Sequence, residues 1–210
     1  MSVLTRFWRD DRAASAAEFA LVLPTALLIL FGVIDVGMYA WTLNEYEKAT
    51  QMGARYAVVT DVIPPALLSE DYTNGYSCDG VPLRAGDRIC SESLGLIQCG
   101  KTGCTCDAQT GTCPSGTLNP TDSTTYDRLV NRMREFQPRI PDDAVSVEYR
   151  GSGLGYAGDP NKPEIAPLVT VRVANVQYNP ISLSPLGIGV GLPDFSYSLT
   201  LEDAEGSRGS

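Results

Sequence analysis

An α+β fold, with a long N-terminal helix packed on a small antiparallel sheet of about three to four strands, is predicted by three features of the sequence. A run from Phe19 to Ile34 carries no charged side chain, helical spacing continues far beyond it, and the C-terminal part alternates apolar and polar residues. Between helix and sheet lies a Gly-, Ser- and Thr-rich stretch that holds every cysteine, which predicts a disulfide-rich loop insertion.

The helix comes first. Between Ala13 and Trp41 the only ionisable side chains are Glu18, Asp35 and Tyr39. Roughly twenty apolar residues cross a bilayer, and Phe19 to Tyr39 supplies that length with Asp35 near the far interface, as the residue that ends the span. Arg6, Arg9 and Arg12 precede the run, so the positive-inside rule places the N-terminus in the cytoplasm and the rest of the chain outside it. The run is too long for a cleaved secretory signal, and Met38-Tyr39-Ala40 is a poor exit site. Past the membrane, Tyr39, Leu43, Tyr46, Ala49, Thr50, Gly53, Tyr56 and Ala57 recur at spacings of three and four and form one face. A helix unbroken from Ala14 to Val59 is about 70 Å long at about 1.5 Å per residue. Pro24 is a candidate kink, and Pro64-Pro65 argues against continuation.

Ser69 to Thr121 has little periodicity and the composition of solvated loops. Thr124-Thr125-Tyr126-Asp127 then reads as a capping box opening a helix with Tyr126, Leu129, Val130, Met133 and Phe136 on its apolar face, ended by Pro138. Val145 to Tyr149, Val169 to Val173 and Phe195 to Leu201 alternate as strands. After Val173 the apolar set moves one residue out of phase, to Ala174, Val176 and Tyr178, which predicts a bulge there.

Composition excludes several function classes. The net charge of −9 gives no electrostatic footprint for nucleic acid. With no histidine, Ser-His-Asp triads, Cys-His nucleophiles and His-containing zinc sites cannot be built. Six cysteines, Cys78, Cys90, Cys99, Cys104, Cys106 and Cys113, read as disulfides in an oxidising compartment, against a thiolate zinc cluster whose Cys-x-x-Cys spacing they lack. Their connectivity stays open. Gly153-Leu154-Gly155-Tyr156-Ala157-Gly158 matches a dinucleotide fingerprint in form only, because Asp159-Pro160-Asn161-Lys162-Pro163 cannot open the helix that would meet a pyrophosphate, and a hairpin loop is expected. Asp142-Asp143 and Glu202-Asp203 read as solvated turns, so no catalytic constellation and no cofactor is expected.

The segment Ala13-Ala14-Ser15-Ala16-Ala17-Glu18-Phe19-Ala20-Leu21-Val22-Leu23-Pro24 resembles the N-terminus of TadE-like pseudopilins of tight-adherence (Flp-type) pili. Phe31-Gly32-Val33-Ile34-Asp35-Val36-Gly37 and Ala49-Thr50-Gln51-Met52-Gly53-Ala54-Arg55-Tyr56-Ala57 extend the likeness, which covers roughly Arg12 to Val59. The resemblance implies processing by a prepilin peptidase on the cytoplasmic side, with glutamate as the fifth mature residue. That places the cut between Ala13 and Ala14 and gives Glu18 and Phe19 the recognition positions, although Ala13 stands where such prepilins carry glycine. Glu18 has its own physical rationale, since a carboxylate beside a helix N-terminus meets free N–H groups and the positive end of the dipole. Gly32 belongs to the second matching block, while Ala49, Gly53 and Ala57 form a row of small residues that suits close approach of another helix or of the chain's own sheet.

The expected organisation is a basic leader (1–13), a transmembrane helix (14–41), an amphipathic extension (42–63), a cysteine-rich loop region (64–120), a helix with antiparallel sheet (121–204) and a tail (205–210). The resemblance implies a non-enzymatic minor pseudopilin in the inner membrane, partnered by the prepilin peptidase, other pilins and platform proteins. Its head would be periplasmic, or extracellular in a pilus. A singly anchored extracytoplasmic binding protein unrelated to a pilus is the alternative, and a membrane-tethered hydrolase is a more distant one.

Overall fold

The computed structural model describes residues 11–120, 123–160, 163–183 and 187–201, with side chains from residue 16 onward. The basic leader before Asp11 and the tail after Leu201 lie outside the described residues. The chain forms two compact units, Met1–Leu43 with Gln177–Gly191, and Asn44–Val176 with Leu192–Ser210.

Helix α1 (Asp11–Ala57) runs without interruption through Pro24. Its residues to Leu43 belong to the first unit. There the chain also contains β7 (Gln177–Tyr178) and β8 (Val190–Gly191), a short antiparallel ladder in which Gln177 faces Gly191 and Tyr178 faces Val190. The out-of-phase residues after Val173 therefore mark no bulge. The strand ends there, and the chain turns at Asn175, which adopts the left-handed region (φ 59°) that asparagine tolerates.

The second unit is built on a five-stranded sheet in the order β4-β3-β5-β6-β9, antiparallel at every pairing. Its strands are β3 (Leu96–Gly100), β4 (Gly103–Asp107), β5 (Val145–Arg150), β6 (Leu168–Val173) and β9 (Phe195–Thr200). Val145, Val147 and Tyr149 on β5 and Val169, Val171 and Val173 on β6 point into the core, as period-two alternation requires. The sheet is larger than the sequence suggests because the cysteine-rich stretch supplies two strands. These form a hairpin that turns at Lys101-Thr102 between paired Gly100 and Gly103. Two further short strands, β1 (Ser77–Cys78) and β2 (Val81–Pro82), pair with each other.

After Pro64-Pro65 comes the single turn α2 (Ala66–Ser69), and α3 (Thr124–Arg134) precedes β5. The capping residue of α3 is Ser123, one position before the expected box, and its hydroxyl donates to the Asp127 carboxylate at 2.7 Å. Tyr126, Leu129, Val130 and Met133 are the buried face of α3. Tyr126 donates its hydroxyl to the Asp142 carbonyl (2.6 Å), with the Val145 carbonyl at 2.9 Å, and burial pushes its phenol up to about 12. Asp142 also accepts from Lys101 (2.8 Å) and Arg134 (2.6 Å). The Lys101 hydrogen bond, followed by the charges around it, holds this carboxyl below its ordinary range.

The C-terminal part of α1 buries Tyr46, Ala49, Thr50, Ala54 and Ala57 in this unit, with the Tyr46 ring stacked on Phe195 of β9 at 5.6 Å. Where the chain leaves α1, the buried Tyr149 hydroxyl accepts a hydrogen bond from the Ile63 N–H at 3.1 Å. Tyr149→Phe keeps the ring and strands that donor in the core, so a loss of about 1–3 kcal/mol in urea unfolding is expected. A loss of only a few tenths would show that another acceptor takes over.

Candidate functional site

The first unit presents a surface unlike that of an ordinary soluble domain. Along α1 the large apolar side chains stand outward, with Leu21 at 78% and Val36 at 70% exposure, and Phe19, Leu28 and Val33 are also exposed. An 18-residue window of this helix reaches a mean hydropathy of 2.4, and among the described residues it is the one helix long and apolar enough to cross a membrane. Such a surface has a low free energy only when covered by lipid or protein. Because α1 begins at Asp11, the Ala13–Ala14 bond lies in helical backbone, and Glu18 and Phe19 follow on the exposed helix.

Asp35 breaks this pattern. It lies between the exposed Ile34 and Val36, yet it is only 7% exposed. One carboxylate oxygen accepts from the Ile181 N–H at 2.7 Å and lies 3.4 Å from the donating Tyr178 hydroxyl. The other accepts from the Ser182 N–H at 2.9 Å and from the Ser182 hydroxyl. Ile181 and Ser182 supply successive backbone donors directly after Pro180, which has no N–H of its own. Tyr39, one helical turn beyond Asp35 and on the same face, meets the Tyr178 ring edge-on at 5.8 Å. These contacts fasten the segment closed by β7 and β8 to α1. Hydrogen bonds to a charged acceptor are stronger than those between neutral groups, and several converge here on a carboxylate placed in an apolar run.

From sequence, Asp35 reads as the residue that ends the span, and its role as an anchor goes unseen. The available signal was chemical. A lone carboxylate in an apolar run needs donors, Tyr39 stands four residues on, and the later uncharged stretch offers Tyr178 and Ser182.

The other predicted residues separate. Ala49, Gly53 and Ala57 are buried within the second unit, where a Cβ on Gly53 would come within 2.8 Å of the Met133 Cγ and Sδ atoms. Close approach within the chain's own fold therefore accounts for this row. Gly32 lies in the first unit with open space around its Cα. All six cysteines pair, as Cys78–Cys90, Cys99–Cys104 and Cys106–Cys113. Cys99 and Cys104 are direct cross-strand partners in the β3–β4 hairpin.

The glycine-rich Gly153–Gly158 stretch forms a loop, and no helix follows it among the described residues. Glu164, buried nearby, accepts from the N–H groups of Gly158 (2.9 Å) and Tyr72 (3.1 Å) and so organises backbone. Its role too was silent in the sequence, because both partners are defined only by the fold.

Residues 13–55 match the family model described as TadE-like protein. No curated protein and no solved structure gives a significant match.

Proposed function

We propose, on the premise that this chain carries a TadE-like segment, that it is a minor pseudopilin of a tight-adherence pilus, held in the inner membrane by α1 and acting by assembly instead of catalysis. The observation that carries this reading is an exposed apolar helix that opens with Glu18-Phe19 inside the matched segment and leads into a disulfide-bonded α+β unit. On this reading, the N-terminus is cytoplasmic and the five-stranded unit lies on the oxidising side, where its three bridges persist. The lipid-facing residues of α1 allow lateral association with other pilins and with platform proteins, and a prepilin peptidase reaches the Ala13–Ala14 bond from the cytoplasmic face. After that cut, the new α-amino group lies about one helical turn from Glu18, within reach of its carboxylate or that of a neighbouring subunit.

The decisive experiment is the mature N-terminus, read by mass spectrometry of protein from cells with and without the prepilin peptidase. A start at Ala14 that vanishes without the peptidase is expected. A start at Met1 or Ser2 in both strains would remove the processing step and favour an anchored binding module.

A further inference from the structure

We infer that residues 177–183 and 187–191, joined by the β7–β8 ladder, form a lipid-contacting foot, which rests in the bilayer interface on the exported side and is held there by Asp35. The inference rests on α1 being a membrane anchor and adds a second membrane contact to it.

Several independent observations lead to a lipid occupant. From Val173 to Pro193 the sequence contains no Asp, Glu, Lys or Arg, in a chain whose charged residues make up 20% of the total. Ile181, Ile188 and Val190, all in this segment, are 57%, 47% and 38% exposed. An uncharged loop that displays branched apolar side chains is poorly suited to water and well suited to the boundary between acyl chains and headgroups.

The point of attachment fixes the depth. Phe19 and Asp35 are separated by about 24 Å along the helix at about 1.5 Å per residue, so a span that begins near Phe19 brings Asp35 to within about one helical turn of the far edge of a hydrocarbon layer about 30 Å thick. The exposed Ile34 and Val36 beside it make the lipid-facing surface of α1 continuous with the attachment point.

Several described backbone groups of the foot have partners within the protein, which suits an environment poor in water. The N–H groups of Ile181 and Ser182 are taken by the Asp35 carboxylate, β7 pairs with β8, and the Ile188 N–H donates to the Leu183 carbonyl at 3.4 Å. Pro180 has no N–H to satisfy. Backbone groups left without partners are what usually keep loops out of a membrane.

The test uses the full chain in phosphatidylcholine–phosphatidylglycerol vesicles, with Trp8→Phe and Trp41→Phe removing both native tryptophans. Ile188→Trp reports on the foot and Phe31→Trp on the span, each read by quenching with lipids brominated near the headgroup or deep in the acyl chains. The Ile188→Trp protein is expected to be quenched at least about twofold more by shallow than by deep bromines, as an interfacial residue is, and the Phe31→Trp protein the reverse. Adding Asp35→Ala should remove most of the shallow quenching at position 188 and leave the span signal unchanged.

An Ile188→Trp protein that escapes both quenchers while the Phe31→Trp protein responds would overturn the foot and leave the anchor standing. Protection from bromine that grows with the protein-to-lipid ratio would assign the surface to a second copy of the chain and equally overturn it. Quenching at position 188 that survives Asp35→Ala would refute the carboxylate's part. Loss of quenching in the Phe31→Trp protein would remove the anchor reading itself, and the foot with it.

Discussion

Gly155→Ala is expected to destabilise the second unit by about 3 kcal/mol or more, a large share of the roughly 5–15 kcal/mol that holds a domain together. Gly155 sits at φ +128°, where an L side chain is strained, and a Cβ there would lie 2.1 Å from the Glu164 carbonyl oxygen and 2.9 Å from the Ile165 Cα. Both obstacles are backbone, so no rotamer change relieves them. Moving that backbone would disturb the Tyr156 N–H to Glu164 carbonyl bond (3.1 Å) and the Ile89 N–H to Gly155 carbonyl bond (3.1 Å). Gly75→Ala is the matched control. It also has positive φ (+85°), but an added Cβ meets nothing within 4 Å, so backbone strain alone predicts a cost of about 1 kcal/mol. Urea unfolding of the two variants should show this difference, and equal losses would mean that the loop yields at little cost.

Reduction of the disulfides is expected to have the larger effect. The bridges close separate loops of 12, 5 and 7 residues. Loop-closure entropy assigns about 3 kcal/mol to the first and about 2 kcal/mol to each of the others. Because the loops do not overlap, the contributions add to about 7 kcal/mol, comparable to the whole stability of a small domain. Dithiothreitol should therefore lower the urea midpoint of the second unit sharply or leave it unfolded without denaturant. Among single bridges, replacing Cys78 and Cys90 with alanine should cost most. Reduced protein that unfolds at the same urea concentration as oxidised protein would show that the sheet and the α1 face suffice alone.

The expected strands around Val147, Val171 and Tyr197 lie where alternation places them, because β5 and β6 turn one face into the core, β9 half-buries one, and the side-chain period of a strand is two. The β3–β4 hairpin escaped the same reading. Ile97 and Cys99 alternate with Gln98, and Cys104 with Thr105, but cysteine, glycine and threonine are also loop residues, and Gly100-Lys101-Thr102-Gly103 becomes a turn signal only once its flanks are known to be strands. The row Ala49, Gly53 and Ala57 was visible as a packing surface. Its partner was not, since Met133 approaches it only after α3 has docked.

Local sequence alone determined that this protein has a long apolar helix, a disulfide-bonded middle and an antiparallel sheet, because hydrophobic periodicity, charge placement and cysteine content act over neighbouring residues. Tertiary structure alone decided which cysteines pair, that the cysteine-rich stretch widens the sheet, and that Asp35 is an anchor. The physical reason is distance along the chain. The donors that satisfy Asp35 lie 146 and 147 residues away, and no local pattern specifies where folding will bring a hydrogen-bond partner from so far off.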